Sequence, residues 1–435
     1  MMEAAGGLIY ICATIFVIAS TLSFGQSATD YGGTYPPVRN PPSVRNYMLG
    51  DWDGTRSRLQ AEGVVFDFYS VNDFLGNPFG GSEQVPTGWG RIRGTVDIDL
   101  GELTRSQAPT LHVTGVWQYG TDLGNQYLGT IANPSSLVSA HAFRLDSWWF
   151  QQALFGKRLF FKAGQFAGQD FYGVQEYGSS YLMEPLGYAL GNLFVTTYES
   201  FDPAATAAVE IMFVPSKHVY VKSAVLAGNR NPYGDDTTGF SFKIKNSPVI
   251  VSEIGYLSGS PDLNSSPPTL KSYPGKYKVG SSYNVGDFVD PVTLVKRAGN
   301  YLVYFMANQA VYRRQAGSNT GLDVDFAFDC SPYDVNRVNE QITGGLRYNG
   351  PIPHRQKDTA AFGFVYSRVS GHFNQGYLLQ SLPTFGAEKA FELNYMVRAQ
   401  PWLVLQPTLQ YYADLGANMR RGNAVVAGFR VKVTF

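Results

Sequence analysis

Two cysteines and five histidines in 435 residues leave little material for a metal centre, a redox pair or a disulfide framework. Charge is scarce as well. The 34 Lys+Arg balance 34 Asp+Glu and only 16% of residues are charged, against about 25% in a typical soluble domain. No nucleic-acid partner is expected of a chain with no net positive charge. Beyond the first thirty residues no stretch approaches the roughly 20 consecutive apolar residues of a membrane helix, so a helical membrane protein is excluded. His112, His141, His218, His354 and His372 are scattered without metal-ligand spacing, and neither a Gly-x-Ser-x-Gly elbow nor a phosphate loop is present. No metal, no cofactor and no catalytic residue is expected, although sequence alone leaves open a Ser or Asp meeting a His near a strand end.

What is abundant is strand and turn material: 29 Phe, 28 Tyr and 47 Gly. The N-terminus reads GLIYICATIFVIASTLSF from Gly7 to Phe24, an apolar core followed by small residues, and predicts a signal peptide over 1–25 cleaved after Gly25. No Lys or Arg precedes that core, and a retained anchor is the competing reading, for which about 18 residues are marginal. Cleavage removes Cys12 and leaves Cys330 alone, without an internal disulfide. Residues 26–46 carry Pro36, Pro37, Pro41 and Pro42 among Gly, Ser and Tyr and read as a flexible lead-in. Residues 47–63 predict a short helical segment in which Asp53 caps and Gly63 terminates. Leu49, Trp52 and Leu59 share one face there, a packing surface or, less economically, a ligand role for Trp52.

From Val64 onward the hydrophobic period is two. Phe391, Leu393, Tyr395 and Val397 alternate with Glu392, Asn394, Met396 and Arg398; Val96 and Ile98 alternate with Asp97 and Asp99; Leu322, Val324, Phe326 and Phe328 alternate with Asp323 and Asp325. Such runs reach about 10 residues, the length of membrane-spanning strands rather than the about 5 to 6 of soluble ones. The last strand alternates Val425, Ala427, Phe429, Val431, Val433 and Phe435 with Val426, Arg430, Lys432 and Thr434. As a soluble edge it would be an aggregation hazard, whereas a closed barrel in a bilayer has no edge. The fold class is therefore all-β, a transmembrane antiparallel barrel over 64–435 with a short N-terminal helix. Short turns such as 214–218 and 399–401 alternate with long loops such as 165–205, and the long ones belong outside. Candidate strands after Gly63 number about seventeen, where a single-chain barrel needs an even number. The uncertain stretch is 219–283, where the hairpin at Asn246-Ser247-Pro248 fits either side of the membrane.

Leu49-Gly50-Asp51-Trp52-Asp53-Gly54 with Arg56, Leu59 and Gly63, then Lys162-Ala163-Gly164-Gln165-Phe166, then Asn300-Tyr301-Leu302-Val303-Tyr304 with Asn308-Gln309, resemble the carbohydrate-selective porin family, OprB type. The last third resembles it most closely, through Gly345-Leu346-Arg347-Tyr348-Asn349-Gly350-Pro351-Ile352-Pro353 and Gln400-Pro401-Trp402 through Tyr411 to the terminal strand. The resemblance covers about 49–435. It implies a monomeric sixteen-stranded barrel of the bacterial outer membrane, in contact with outer-membrane lipid, that passes sugars by diffusion. It also implies that the terminal Phe435 is the signal read by the barrel assembly machinery. Asp53, where the family has Gly, and Cys330 depart from its usual wording. Two other functions remain compatible with the fold: a general porin without sugar selectivity and a structural or adhesive barrel.

Strand parity nominates the residues that line the lumen. A diffusion pore selects sugars with charged and amide groups for hydroxyls and aromatic faces for ring surfaces. Arg91, Arg93 and Asp97 share one inward face, where they serve either the sugar or merely as solvated wall charges. Lys243, Lys245, Glu253, Arg347, Glu392, Arg398, Arg430 and Lys432 also point inward by the same count. The loop 165–205 is the candidate to fold inward, with Tyr172, Glu176 and Tyr177 as its sugar-facing residues or, alternatively, as a lid packed on its own aromatics. Of Trp148 and Trp149, one faces lipid and the other the lumen.

Overall fold

The computed structural model describes residues 44–104, 108–137, 141–228, 236–240, 244, 246–259, 273–315, 318–418 and 420–435. The expected leader, nearly all of the lead-in, and Lys243 and Lys245 lie outside them. Sixteen strands follow one another: β1 (Val64–Phe79), β2 (Pro86–Asp99), β3 (Thr110–Gly120), β4 (Ala142–Leu154), β5 (Leu159–Phe166), β6 (Thr206–Ser216), β7 (Val219–Ala227) and β8 (Pro248–Ser258). They continue as β9 (Gly275–Val289), β10 (Lys296–Arg313), β11 (Gly321–Cys330), β12 (Val338–Asn349), β13 (Thr359–Val369), β14 (Ala387–Gln400), β15 (Leu403–Ala413) and β16 (Ala424–Thr434). Each pairs antiparallel with its chain neighbours, and β1 pairs with β16 from Tyr69↔Thr434 to Phe79↔Val425, closing the barrel.

The count is sixteen, not seventeen. Phe240, Phe242 and Ile244 alternate like a strand, but among the described residues no strand lies between Ala227 and Pro248. Pro248 opens β8, and Asn246–Pro248 sits at the barrel end that carries the long connection 167–205, here called the loop end. The opposite, terminal end carries Phe435 and tight turns such as Lys217-His218 and Pro401-Trp402, but also the longer connection 350–358. The alternation of short and long connections therefore holds with exceptions.

Period-two patterning separates the two faces of the wall. On β14 Glu388, Ala390, Glu392 and Asn394 are buried inward, while Leu393 is 57% exposed on the outside. Outward positions elsewhere are similarly bare and apolar, among them Phe74, Phe150, Ile254, Phe305, Phe362 and Phe429. A free row of this kind is stable against hydrocarbon and not against water. Depth along the strand follows from position. Leu393 lies at mid-strand, and Val397 lies three residues from the terminal turn. Leu393→Arg is accordingly expected to destabilise the barrel in lipid by about 2 to 4 kcal/mol, and Val397→Arg by only about 0 to 1. Urea titration in vesicles measures both, and equal costs would mean that the membrane is centred elsewhere.

Near the N-terminus a short helix spans Thr55–Ala61. Gly54, with φ 87°, stands at its cap rather than Asp53, and the carboxylate of Asp51 accepts from the Ser57 N–H at 2.8 Å. Left-handed Gly63 (φ 85°) follows the helix as expected. Its face holds Arg56, fully buried beneath Tyr47 and Trp52, with the guanidinium 3.7 and 4.2 Å from their ring centres. Nη2 of Arg56 donates to the Phe435 carbonyl at 2.9 Å, so the segment is fastened to the barrel seam.

The inward loop and the chamber above it

Three apolar clusters hold residues 167–205 inside the barrel. Phe171 and Tyr172 pack with Met212, Tyr220, Val249 and Val251; Leu182, Met183 and Leu186 pack with Ala361, Val365 and Ala390; Leu190 and Leu193 pack with Leu302 and Met306. Those wall positions are inward yet apolar because the loop covers them.

Polar anchors then fix the loop along its length. Glu253 on β8 receives Tyr220 Oη at 2.6 Å, Tyr304 Oη at 2.8 Å and the Gly173 N–H at 3.2 Å, with Lys222 Nζ 3.3 Å away. Both tyrosines reach it by lying over glycines. A Cβ at Gly255 would stand 2.0 Å from the Tyr220 ring, and one at Gly280 2.2 Å from Tyr304, so no larger residue fits either place. Further along, Glu392 accepts the N–H groups of Leu182 and Met183 at 2.8 and 2.7 Å. Asn192 donates to Asp329, and Asn300 and Asn284 donate to the carbonyls of Thr196 and Thr197, each at 2.8 Å. At the loop's end Asp202 meets Arg91 Nη1 at 2.7 Å and Arg93 Nη1 at 2.5 Å, while Asp170 lies 3.8 Å from Arg93. The loop thus crosses the lumen from one wall to the other.

Residues 121–137 of a second connection also enter. Glu388 accepts from the N–H groups of Ile131 and Ala132, Ser135 donates to Asp73, and Arg430 grips Asp73 through Nε and Nη2 at 2.6 and 2.7 Å. Two glutamates on the inward face of one strand, Glu388 and Glu392, therefore each hold a different connection by its backbone.

Between the two connections, at the loop end, lies a chamber of about 440 Å³. Arg91, Asp202 and Tyr188 form part of its wall, with Phe194, Phe201, Glu184 and Asn192 also lining it. Tyr188 Oη donates to Asp170 at 2.8 Å and accepts from the Asp202 N–H at 3.2 Å. Burial, with Asp122 nearby, pushes the Glu184 carboxyl up to about 8. Burial acts on Glu176 in the same direction, but Lys278 and Lys276, whose Nζ atoms lie 2.6 and 2.7 Å away, outweigh it and hold that carboxyl down to about 2.

Residues 87–435 match the carbohydrate-selective porin, OprB family. The chain belongs to that family. It is 25% identical to Porin B of Pseudomonas aeruginosa, over 89% of this chain and 91% of the relative. The fold is shared with OprB of Pseudomonas putida solved at high pH, with TM-score 0.82, 20% identity, and coverage of 90% of this chain and 99% of that one. The low-pH structure of the same protein superposes less closely, with TM-score 0.56, 17% identity, and coverage of 90% and 98%. The protein is thus a sugar-selective porin of the outer membrane, a channel rather than an enzyme.

In this porin the nominated residues divide. Arg91 and Arg93 come together at the loop's end, with Asp170 and Asp202. Asp97 stands apart toward the terminal end, its Oδ1 2.6 Å from His112 Nδ1. Arg347 reaches Asp323 at 2.9 Å and lies 3.6 Å over the ring of Tyr177, both half-buried. Glu176 is tied to Lys276 and Lys278 on β9. Tyr172 and Glu253 do not line the pathway. At 0% and 1% exposure they lie beneath the loop, because Glu253 is the loop's anchor and Tyr172 part of its apolar footing. Arg398 is exposed near the terminal turn, remote from the loop. Trp149 is the inward member of its pair, stacked on His112 at 4.6 Å. Asp202 was not legible as a partner, since 109 residues separate it from Arg93 and nothing local marks it.

Proposed function

We propose that the sugars selected by this porin are neutral monosaccharides and small oligosaccharides, and that the step which discriminates them is passage past Arg91, Arg93, Asp170 and Asp202. One observation carries the reading: two guanidiniums on the inward face of β2 and two carboxylates at the roots of the inward loop meet at a single junction. Opposed charges of equal number present donors and acceptors to hydroxyls at fixed places without strong preference for either ion sign. Tyr69, also on the inward face of β1, and Tyr188 supply ring surfaces beside them. On this reading the loop end faces outward, a leader over 1–25 exports the chain, the lipid-facing rows meet outer-membrane lipid, and assembly machinery reads Phe435 on a monomeric barrel.

Single-channel current in a planar bilayer, titrated with glucose and with maltose, tests it. Arg93→Ala is expected to raise the half-blocking sugar concentration about tenfold, the worth of one charge-assisted hydrogen bond of about 1.5 kcal/mol, and to shift ion preference toward cations. Identical sugar block in the variant and the parent would remove the junction from the selectivity.

A further inference from the structure

The chamber on the loop side of the junction has features that the junction does not require. Its volume of about 440 Å³ lies within the range of small-molecule sites, about 300 to 1,000 Å³. Phe194 and Phe201 pack edge to face on its wall, with ring centres 4.6 Å apart, and both remain half-buried rather than covered. Tyr188 adds a third ring. Four lining side chains carry a buried polar atom that bonds to nothing in the protein: Arg91 Nη2, Thr130 Oγ1, Gln169 Nε2 and Thr196 Oγ1. Gln169 is 3% exposed and Thr196 1%. A buried polar group left unpaired costs about 1 to 3 kcal/mol; these atoms are closed to water in the free chamber, and a turn of each side chain toward the cavity would let a ligand there pair them.

We propose that this chamber is a second sugar subsite, which binds a neutral pyranoside before it reaches the junction, with its ring against Phe194 and Phe201 and its hydroxyls on Gln169, Thr196 and Thr130. The inference rests on the reading of the protein as a porin for neutral sugars. Aromatic faces suit the C–H surfaces of a pyranose, while amide and hydroxyl groups suit its rim. Charge on the wall argues against an anionic sugar. Of the Arg91 guanidinium, Nη1 is engaged by Asp202 and Nε by Gln118, both at 2.7 Å, which leaves only Nη2 open, and Arg337 lies 5.1 Å over the Phe385 ring, donating to the Gly416 carbonyl at 3.5 Å. Glu184, with its raised pKa, keeps its proton at neutral pH and can donate to a hydroxyl as well as accept.

The test is current block by glucose and maltose in the full barrel, comparing the parent, Phe194→Ala with Phe201→Ala, Thr196→Val, and Arg93→Ala. Removing both rings is expected to raise the half-blocking maltose concentration about tenfold while open-channel conductance changes less than twofold. Thr196→Val exchanges one hydroxyl for a methyl and is expected to raise it about threefold, which keeps the test intact if the double variant folds poorly. Glucuronate at neutral pH is expected to block at least fivefold more weakly than glucose. Block unchanged by all chamber variants but weakened by Arg93→Ala overturns the subsite and leaves the junction standing. Block weakened by the chamber variants alone supports the subsite and overturns the junction. Block unchanged by every variant overturns both, and tighter block by glucuronate overturns the neutral-sugar assignment.

Discussion

Phe435→Asp is expected to reduce the folded barrel recovered from the outer membrane at least tenfold while leaving export intact. Phe435 joins three parts of the chain at the seam. Its N–H donates to the Phe68 carbonyl at 2.8 Å, its carbonyl accepts from Arg56 Nη2 at 2.9 Å, and its ring lies 5.1 Å from that of Phe68. Beside it the Met48 N–H donates to the Thr434 carbonyl at 2.8 Å. Closure of β16 on β1 is the event that removes the last unpaired edge, and an open edge is untenable in hydrocarbon. The equilibrium cost of the substitution is modest by comparison. A charge on an outward position near the interface costs about 0 to 1 kcal/mol. The expected signature is therefore a split: a large loss in cells, and near-parental stability once the purified chain is refolded in detergent. Heat-modifiable gel mobility and protease resistance of outer-membrane fractions measure the first, and urea titration the second. Normal amounts of protease-resistant protein in the membrane would show that seam closure does not depend on this residue. Arg56→Ala keeps the Phe435 ring and its backbone bond but removes the tie to the carbonyl and the stacking under Tyr47 and Trp52, so it is expected to impair assembly less.

The barrel was legible because lipid and lumen demand opposite side chains at alternate positions, and on strands such as β11 and β14 that contrast holds along most of the strand. It fails where both faces are apolar. On β7 the inward row is Tyr220, Lys222, Ala224 and Leu226, and on β8 it includes Val249 and Val251, because these strands carry the footing of the inward loop. Period two loses its amplitude there, and the strand count goes wrong at the same place. Lumen residues were legible as to side and not as to neighbour. Parity put Arg91, Arg93, Glu253 and Arg347 on the inner face, where they stand, but which of them touch water depends on where 167–205 and 121–137 lie. Those paths are set by contacts between residues far apart in the chain, such as Glu388 with Ile131 and Glu392 with Leu182. Length and its tyrosines and carboxylates singled out 165–205 as the loop to turn inward, but no local pattern gives its path across the lumen or marks 121–137 as a second.

Glu392 shows what that difference does to a prediction. By parity alone it is a solvated wall charge, and Glu392→Gln should scarcely matter. In the structure it is 0% exposed and accepts the Leu182 and Met183 N–H groups at 2.8 and 2.7 Å and Asn394 Nδ2 at 2.7 Å. Alanine there leaves two backbone donors unpaired in a buried place, at about 1 to 3 kcal/mol each. That exceeds what this stretch of the loop can absorb without moving. The strands themselves do not depend on this carboxylate, since β14 keeps its ladders to β13 and β15 through backbone bonds. The barrel is therefore expected to survive while the loop around Leu182 and Met183 lifts from the wall. Open-channel conductance should rise at least twofold in Glu392→Ala, with weaker block by glucose, and heat-modifiable mobility should stay parental. Glutamine can still accept one of the two bonds through its amide oxygen, so its conductance should fall between the two. Two outcomes would sink the idea: unchanged conductance in Glu392→Ala, which would mean that the apolar footing of Leu182, Met183 and Leu186 alone sets the loop, or loss of the folded barrel, which would make Glu392 part of the wall's stability rather than of the channel's width.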